Sequence, residues 1–310
     1  MRNFLYQYQE ISTLVASETL FVTGATGKLG MHAVDSILKI DPDVSIIAGA
    51  RERSAFQALE DLHAKGVQTR IAEYDDVSIL VEAFSGVDRL LFISGKEGAR
   101  RKRQHENVIK AAMIAGIGFI AYTSILRAST SPLLLADDHR HTELMLSESG
   151  IPHVLLRNGW YAEILNWRIA AAIKANRMFG IAGEGRISAA SRADYAEAAA
   201  RILVYGMAGK QIYELAGDES FSLRELAEFV SFSTNKPIVY EEVHDEIYRT
   251  NLLRAGAPLA LVNILLDIDR GISEGALFEN RSELASIIGR KTTSYKDVVR
   301  EFLGNRHALA

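Results

Sequence analysis

The sequence predicts an α/β fold built on a doubly wound parallel sheet, with a smaller, mostly helical C-terminal lobe. Three observations predict it. Short apolar runs alternate with longer helical patterns through the first half, the glycine-rich turn "GATGKLG" joins the first run to the first helix, and strand patterns become sparse after residue 158. Strands alternating with helices pair in parallel through right-handed crossovers. The order of elements is therefore typical of a Rossmann-type sheet.

Six strands are predicted in the first half because their apolar and β-branched residues form short runs. They cover residues 20–24, 44–50, 67–74, 89–94, 119–124 and 153–158. Helical periodicity occupies residues 28–40, 54–65 and 97–115 between them. This alternation is the pattern of successive βαβ units.

The second half is mainly helical in pattern. Helices are predicted at residues 160–175, 192–205, 222–232, 244–255 and 258–269, and strands at about 211–217 and 237–243. We therefore predict an N-terminal extension (1–18), a sheet domain (19–157) and a substrate-binding lobe (158–310). The strand at 211–217 is expected to return to the main sheet.

Composition excludes several classes of function. The net charge of −4 gives no general attraction to nucleic acid, and the one basic cluster, residues 100–103, is expected to be a solvated helix start. Without cysteine the chain forms no disulfide, thiolate nucleophile or sulfur-ligated metal site, and no metal site is predicted. No apolar stretch reaches the roughly 18 residues of a membrane span, and the N-terminus lacks a signal-peptide pattern. A cytoplasmic protein that binds neither nucleic acid nor membrane is expected.

The glycine-rich turn is the strongest single motif. Gly24, Gly27 and Gly30 follow a strand and open a helix. Glycine permits the turn, lets the backbone approach a pyrophosphate and lets the helix pack on the strand, while the helix N-terminus faces the anion. A turn that binds no ligand is the alternative. We predict that a dinucleotide contacts this loop, and that the sheet domain binds NAD(P). The loop contributes Gly24, Thr26, Gly27, Lys28, Leu29 and Gly30.

The end of the second strand selects the nucleotide. NAD-binding folds place an acidic residue there to hold the ribose hydroxyls, whereas this chain has Ala50 and Arg51. An arginine pairs with a 2′-phosphate, and the missing carboxylate removes a repulsion against it. NADPH is therefore favoured over NADH. The alternative is that Arg51 is merely solvated, and the adjacent Glu52 weighs against the assignment.

The usual acid of short-chain dehydrogenases is missing. Their Tyr-x-x-x-Lys pair lowers the tyrosine pKa for proton transfer, and none of the eleven tyrosines here has a lysine four positions on. This absence disfavours alcohol chemistry by that route.

The longer motifs carry a family resemblance. "GATGKLG", "FIAYTSILRASTSPLLLADDHRHTELMLSESGIPHVLLRNGWYAEI", "ISAASRADYAEAAARIL" and "IYELAGDESFSL" resemble the NmrA-like atypical short-chain dehydrogenases. Within them the chain is most similar to the NADPH:quinone oxidoreductase type 2 group, with triphenylmethane dye reductases as near relatives. The resemblance runs from about residue 19 to about 300.

The resemblance implies further cofactor contacts and a modified catalytic helix. Besides the glycine loop and Arg51, NADPH would be held by Ser94, Gly95, Lys96, Asn158, Gly159, Trp160, Tyr161 and Glu163. Family members that keep the catalytic lysine read Lys-x-x-x-Glu on one helix. Here His139 takes the lysine place, Glu143 the glutamate place and Leu135 the tyrosine place. The usual acid/base pair is therefore absent.

Candidate catalytic residues are Tyr161, His139 and Asn158. Tyr161, with Trp160, either lines the substrate site or packs in a core. His139 is either a proton donor or a plain helix-surface histidine. Asn158 could orient the nicotinamide amide. Ser124 stands at the serine position of short-chain dehydrogenases, where capping a turn is the alternative.

Quinone reduction suits these departures. Hydride passes directly to a ready electrophile, and the hydroquinone oxygen, phenol-like with a pKa of about 10, takes its proton from water. The resemblance thus favours an NADPH-dependent reductase of quinones or dye-like flat electrophiles. A redox sensor of the NmrA type that binds the dinucleotide without turnover is the alternative. The oligomeric state is open, with a homodimer as the candidate.

Overall fold

The computed structural model describes residues 18–51, 56–95, 98–206, 209–281 and 283–307. Within them the chain forms two compact units, each assembled from separate segments. The first unit comprises residues 18–124, 141–156 and 196–213. The second comprises residues 125–140, 157–195 and 214–307. Most of the predicted N-terminal extension lies outside the described residues.

The eleven strands of the described residues are short. They are β1 (Thr19–Val22), β2 (Ser45–Ala50), β3 (Gln68–Ile71), β4 (Arg89–Phe92), β5 (Phe119–Ile125), β6 (His153–Asn158), β7 (Arg177–Gly180), β8 (Arg186–Ile187), β9 (Ile212–Leu215), β10 (Phe221–Ser222) and β11 (Val239–Glu242).

The helices are α1 (Lys28–Ile40), α2 (Phe56–Ala64), α3 (Val77–Ala83), α4 (Gly98–Ala115), α5 (Leu134–Glu148), α6 (Asn166–Ala175), α7 (Arg192–Tyr205), α8 (Leu223–Thr234), α9 (Asp245–Arg254), α10 (Leu259–Ser273), α11 (Leu284–Ile288) and α12 (Tyr295–His307). A 3-10 turn, Ala162–Leu165, precedes α6. No helix in the described part of the chain has the length and apolar character needed to cross a membrane.

The main sheet has seven strands in the order β3-β2-β1-β4-β5-β6-β9. Strand β1 pairs in parallel with β2 on one side and β4 on the other, and β2–β3 and β4–β5 are also parallel. The chain thus winds outward in both directions from β1, which confirms the predicted doubly wound sheet. In such sheets ligands bind outside the carboxyl ends of the strands at this reversal point.

The first unit is held by aromatic packing beneath the sheet. Phe21 on β1 and Phe84 after α3 are fully buried and meet edge to face, with ring centroids 5.1 Å apart. Phe92 on β4 is also fully buried. Such aromatic pairs contribute beyond the area they bury. The carboxyl ends of β1 and β4 are therefore supported by a closely packed core.

The second unit contains more extended structure than predicted. Strand β7 pairs in parallel with β11, and β8 pairs with β10 in a second small sheet. The segments β7, β8 and β10 were not predicted, because two to four residues carry too little pattern to identify a strand. Its core includes Phe221 stacked on Tyr295 at 3.9 Å.

Candidate functional site

The glycine loop adopts the predicted strand-turn-helix form. Gly24 has a φ of +57°, a conformation that favours glycine, and the Gly27 amide donates back to the Gly24 carbonyl at 2.9 Å. Helix α1 begins immediately afterwards, and no side chain caps its N-terminus at Gly27. Gly24, Gly27 and Lys28 are exposed, whereas Thr26 and Leu29 are half-buried. Uncapped N–H groups at an exposed helix N-terminus suit an anion.

Gly30 explains why the loop lies so close to the helix. A Cβ atom at this buried residue would lie 2.4 Å from the Gly24 carbonyl oxygen and 2.6 Å from the Ala25 Cα. No side chain fits there without moving backbone atoms. Around Gly24, in contrast, an added Cβ would meet nothing within 4 Å, so the space in front of the turn is open.

Hydroxyl groups fasten the carboxyl ends of neighbouring strands to each other. The Thr23 Oγ1, just after β1, accepts from the Ile93 amide at 2.9 Å, and lies 2.6 Å from the Tyr74 hydroxyl. That phenol also donates to the Ile93 carbonyl at 2.8 Å. Burial raises the pKa of Tyr74 well above its ordinary value, so the phenol stays neutral. The sequence interpretation did not include Thr23 or Tyr74.

The loop after β4 is held just as firmly. The Ser94 amide donates to Thr123 Oγ1 at 2.9 Å, and the Gly95 amide donates to His105 Nε2 at 3.0 Å. Arg101 Nε donates to the Gly95 carbonyl at 2.6 Å. Ser94 and Gly95 therefore lie at the same sheet edge as the glycine loop. Lys96, the third residue predicted there, falls outside the described residues.

Arg51 lies where the nucleotide would be selected. It is exposed and directly follows β2, whose Gly49 carbonyl accepts from the Ala25 amide of the glycine loop at 3.0 Å. Arg51 is also close enough to Tyr74 for its charge to favour the ionised phenol, although burial outweighs that effect. An arginine side chain can pair with a phosphate, and a strand end beside the glycine loop is where nucleotide-binding sheets of this kind contact the ribose.

The basic cluster at the start of α4 is more structural than predicted. Arg100 and Arg103 both pair with the Asp75 carboxylate, at 3.0 and 2.9 Å. Arg101 is buried, with 7% of its surface exposed. The prediction of a simple solvated helix start was wrong for Arg101. Its side chain donates a hydrogen bond to the Gly95 carbonyl in the loop after β4.

Asn158 ends β6 in the second unit, and its side chain is incompletely bonded. Its Nδ2 donates to the Tyr161 hydroxyl at 3.4 Å, whereas the buried Oδ1 has no hydrogen-bond partner in the described structure. A buried acceptor without a donor is costly, so a further partner, such as a water, an ion or a ligand, is expected at this atom. This Oδ1 can accept from the N–H of a bound amide.

The loop after Asn158 is pinned within the second unit. The Gly159 amide donates to the Leu215 carbonyl at 2.7 Å, and a Cβ at Gly159 would lie 2.9 Å from the Tyr195 hydroxyl. Glu163 Oε1 accepts from the Arg192 amide at 2.9 Å. Trp160 is half-buried and packs against the core of this unit. Gly159, Trp160 and Glu163 thus fix the loop's shape.

Tyr161 is surrounded by aromatic and cationic groups. Its ring meets Tyr195 edge to face at 5.3 Å, and the Arg192 guanidinium lies 5.1 Å from the ring centroid. Burial raises the pKa of the Tyr161 phenol, against the lowering effects of Asn158 and Arg192. The group is therefore a protonated phenol at neutral pH and could donate a proton but not accept one.

The remaining catalytic candidates lie in different units. Ser124 Oγ donates to the Glu143 carboxylate at 2.5 Å within the first unit, so the serine bonds to the glutamate position instead of capping a turn. His139 belongs to the second unit and is 5% exposed, which corrects the prediction of a helix-surface histidine. Leu135 is half-buried against that unit's core.

The comparisons with known proteins agree with this geometry. The model of the NAD(P)H-binding family matches residues 24–204, more than half of the chain and including the glycine loop. The chain belongs to the NAD(P)H-binding family. Quinone oxidoreductase 2 of Escherichia coli is 42% identical over 278 residues, which cover 90% of this chain and 96% of that protein. An NmrA-like family domain-containing oxidoreductase of Aspergillus flavus is 28% identical over 91% of this chain and 94% of its own.

Solved structures give the same result. The NADPH complex of the Escherichia coli NADPH-dependent quinone oxidoreductase superposes with a TM-score of 0.86 at 41% identity, covering 92% of this chain and 100% of that one. The NADP(H) complex of a Citrobacter triphenylmethane reductase has a TM-score of 0.85 at 32% identity, with coverages of 92% and 100%. The resemblance expected from the motifs is thereby confirmed, and the chain is an oxidoreductase of the NAD(P)H-binding family.

In the first unit, the open turn at Gly24 and the uncapped α1 N-terminus suit an anion such as a pyrophosphate. In the second unit, the unpartnered Asn158 Oδ1 suits an N–H donor such as a carboxamide. Sequence reasoning missed the buried supports, above all His105. His105 follows Gly95, the residue that it contacts, by ten positions and lies within helix α4. No local sequence pattern distinguishes it from the other polar residues of that helix.

Proposed function

We propose that this chain is an NADPH-dependent reductase that transfers a hydride to a quinone or a similar flat electrophile. The unpartnered Oδ1 of Asn158 carries the proposal most directly, because it marks a place prepared for an amide such as that of nicotinamide. The quinone and dye reductases among the relatives support the substrate class.

Each part of the cofactor has a matching group. The N–H groups at the start of α1 bind the pyrophosphate, and Lys28 adds positive charge at the same helix turn. Arg51 pairs with the 2′-phosphate, which favours NADPH over NADH. Asn158 Oδ1 accepts from the nicotinamide carboxamide, and Tyr161 and Glu163 shape the loop that presents it.

The chemistry demands little of the protein. NADPH supplies the hydride, and the reduced quinone oxygen takes its proton from water. The chain's residues bind the cofactor, orient the nicotinamide and exclude competing solvent. Leu135 and His139 at the tyrosine and lysine places therefore do not prevent the reaction. A small-molecule acceptor is the partner, and a cytoplasmic homodimer is the proposed form of the enzyme.

A dinucleotide sensor without turnover is the competing function. The missing Tyr-Lys pair favours it, since a sensor needs no acid/base group. Against it stand the loop from Asn158 to Glu163, whose shape is fixed by several hydrogen bonds, and the reductases among the relatives.

The test is NADPH consumption by the purified chain with a panel of simple quinones and one triphenylmethane dye. NADH in place of NADPH and a reaction without acceptor are the controls. Rapid, quinone-dependent oxidation of NADPH, slower with NADH, is expected. Tight NADPH binding with no turnover of any acceptor would contradict the reductase and favour the dinucleotide sensor.

A further inference from the structure

His105 is a fully buried histidine whose ring contacts the loop after β4, which belongs to the candidate site. It lies on α4 in the first unit with 0% of its surface exposed. Its Nε2 is 3.0 Å from the amide nitrogen of Gly95, the last described residue of the loop after β4. Its Nδ1 is 2.8 Å from Thr142 Oγ1 on α5. The His105 ring thus links the Gly95 amide, at the carboxyl end of β4, to helix α5.

These contacts determine the ring's proton. Because the Gly95 N–H donates to Nε2, that nitrogen carries no proton, and the neutral imidazole holds its proton on Nδ1. Nδ1–H then donates to Thr142 Oγ1. A doubly protonated ring has a donor on each nitrogen, so an N–H on Nε2 would point at the Gly95 N–H. Protonation and the Gly95 hydrogen bond therefore exclude each other.

Two aromatic side chains pack against the His105 ring. The Phe92 ring of β4 meets it edge to face at 4.8 Å, and the Tyr122 ring of β5 lies 5.8 Å away, with its hydroxyl 3.5 Å from Nδ1. Burial raises the pKa of Tyr122 far above its ordinary value, so this phenol offers no negative charge.

Two charged groups, Glu143 and Arg101, act electrostatically on Tyr122 beside the ring. Glu143 on α5 accepts the hydrogen bond of Ser124, and Arg101, on the same helix as His105, donates to the Gly95 carbonyl at 2.6 Å. The residue Gly95 is therefore held at its N–H by His105 and at its carbonyl by Arg101. Only the first of these contacts changes when a histidine gains a proton.

We propose that His105 is a positioning residue for NADP(H) binding: as a neutral imidazole it fixes the Gly95 peptide at the carboxyl end of β4, and its protonation releases that peptide and weakens cofactor binding. The proposal rests on the proposed contact of Ser94 and Gly95 with NADPH. It adds a contribution from His105 to the pH dependence of cofactor binding.

The experiment measures the dissociation constant of NADP+ by titration from roughly pH 5 to 8, where histidines change charge. The parent is compared with His105→Gln and His105→Leu. A glutamine Oε1 can take the place of Nε2 as acceptor but gains no proton in this range. A leucine removes the acceptor and leaves the Gly95 N–H unpaired.

His153→Gln is the matched control. His153 is also buried in the first unit, with 6% exposed, and its ring nitrogens contact the Ile151 carbonyl at 2.8 Å and Gln211 Nε2 at 2.9 Å. It begins β6, whereas the proposed cofactor contacts lie at the carboxyl ends of the strands. The 2′-phosphate of NADP+ also gains a proton near about pH 6, but it does so identically in every variant.

We expect the parent and His153→Gln to lose about tenfold more affinity than His105→Gln as the pH falls, the effect of one hydrogen bond to a buried group. At neutral pH His105→Gln should bind NADP+ within about threefold of the parent, and His105→Leu about tenfold more weakly. If His105→Leu does not fold, the dependence of NADP+ affinity on pH in the parent and in His105→Gln is enough to test the proposal.

If NADP+ affinity falls by the same factor with pH in the parent and in His105→Gln, the positioning role of His105 is overturned and the proposed reductase function is unaffected. A parent that binds no NADP+ at any pH would overturn both. Quinone-dependent oxidation of NADPH, assayed on the same samples, separates a failure of the positioning role from a failure of the proposed function.

Discussion

At the residue scale, we predict that Arg51 decides the cofactor preference through its charge. It is exposed directly after β2, at a place where an NAD-binding fold has a carboxylate. We expect Arg51→Asp to weaken NADPH binding by about tenfold or more, because it replaces an attraction to the 2′-phosphate with a repulsion. NADH binding should change little, and equal losses for the two cofactors would show that Arg51 does not contact that phosphate.

Tyr161 tests the source of the proton. Its pKa is raised by burial, so the phenol remains protonated through neutral pH and could act only as an acid. Because water can protonate the reduced quinone, we expect Tyr161→Phe to change kcat by less than about threefold. Steady-state kinetics with a simple quinone measure this. A loss of about a hundredfold or more would assign a general-acid role to Tyr161.

Residue patterns predicted the strand-turn-helix form of the glycine loop and singled out Arg51, but they did not identify the buried groups that support these strand ends. A glycine motif is local, and its spacing can be read directly from the sequence. The bond between Tyr74 and Thr23 joins residues 51 positions apart, and that between Gly95 and His105 depends on how a helix packs on the sheet. The burial of His139 likewise depends on tertiary packing, which its position in the motif does not show.

At the element scale, the junction of β1 and α1 depends on the missing side chain of Gly30. A Cβ there would overlap the Gly24 carbonyl oxygen at 2.4 Å. We expect Gly30→Ala to destabilise the fold by about 1–3 kcal/mol through overpacking and to weaken NADPH binding about tenfold or more. Thermal unfolding and a binding titration measure the two effects.

Gly304→Ala is the matched control for this substitution. Gly304 is exposed on α12, and a Cβ would meet nothing within 4 Å. Alanine in an exposed helix should stabilise the chain by about 0.5–1 kcal/mol and leave NADPH affinity unchanged. Equal NADPH affinities for both variants and the parent would contradict the role given to Gly30.

The start of α4 is attached to the loop after β3 by Asp75. Hydrogen bonds from Gln104 and Arg103 hold the pKa of this carboxyl below its ordinary value, with Arg100 also contributing. A lowered pKa stabilises the fold above the ordinary carboxyl pKa, and that contribution is lost as the pH falls through the folded-state value.

We therefore expect Asp75→Asn to lower the melting temperature by about 1–3 °C at neutral pH, a small effect because the site is partly exposed. The difference should shrink below about pH 4. Asp61→Asn is the control, since Asp61 accepts its hydrogen bond from the neutral side chain of Gln57. A constant difference for Asp75→Asn down to acid pH would show that ion pairing is not the cause.

At the scale of the whole molecule, the seven-stranded sheet could be predicted as a class but not in its order. Each of the first six strands has an apolar run, whereas the placement of β1 between β2 and β4 depends on pairing across distant parts of the chain. Helix α5 was not predicted from periodicity, because its charged residues interrupt the apolar face. The partition into two discontinuous units also depends on contacts rather than on local pattern.

The central claim is that this chain transfers a hydride from NADPH to a quinone. The most direct measurement is an anaerobic single turnover, in which the chain loaded with NADPH is mixed with a simple quinone and nicotinamide absorbance is followed. We predict oxidation of one NADPH per quinone reduced, and a slower reaction when the transferred hydrogen at nicotinamide C4 is deuterium. Unchanged absorbance from chain that has bound NADPH tightly would contradict the claim and indicate a sensor.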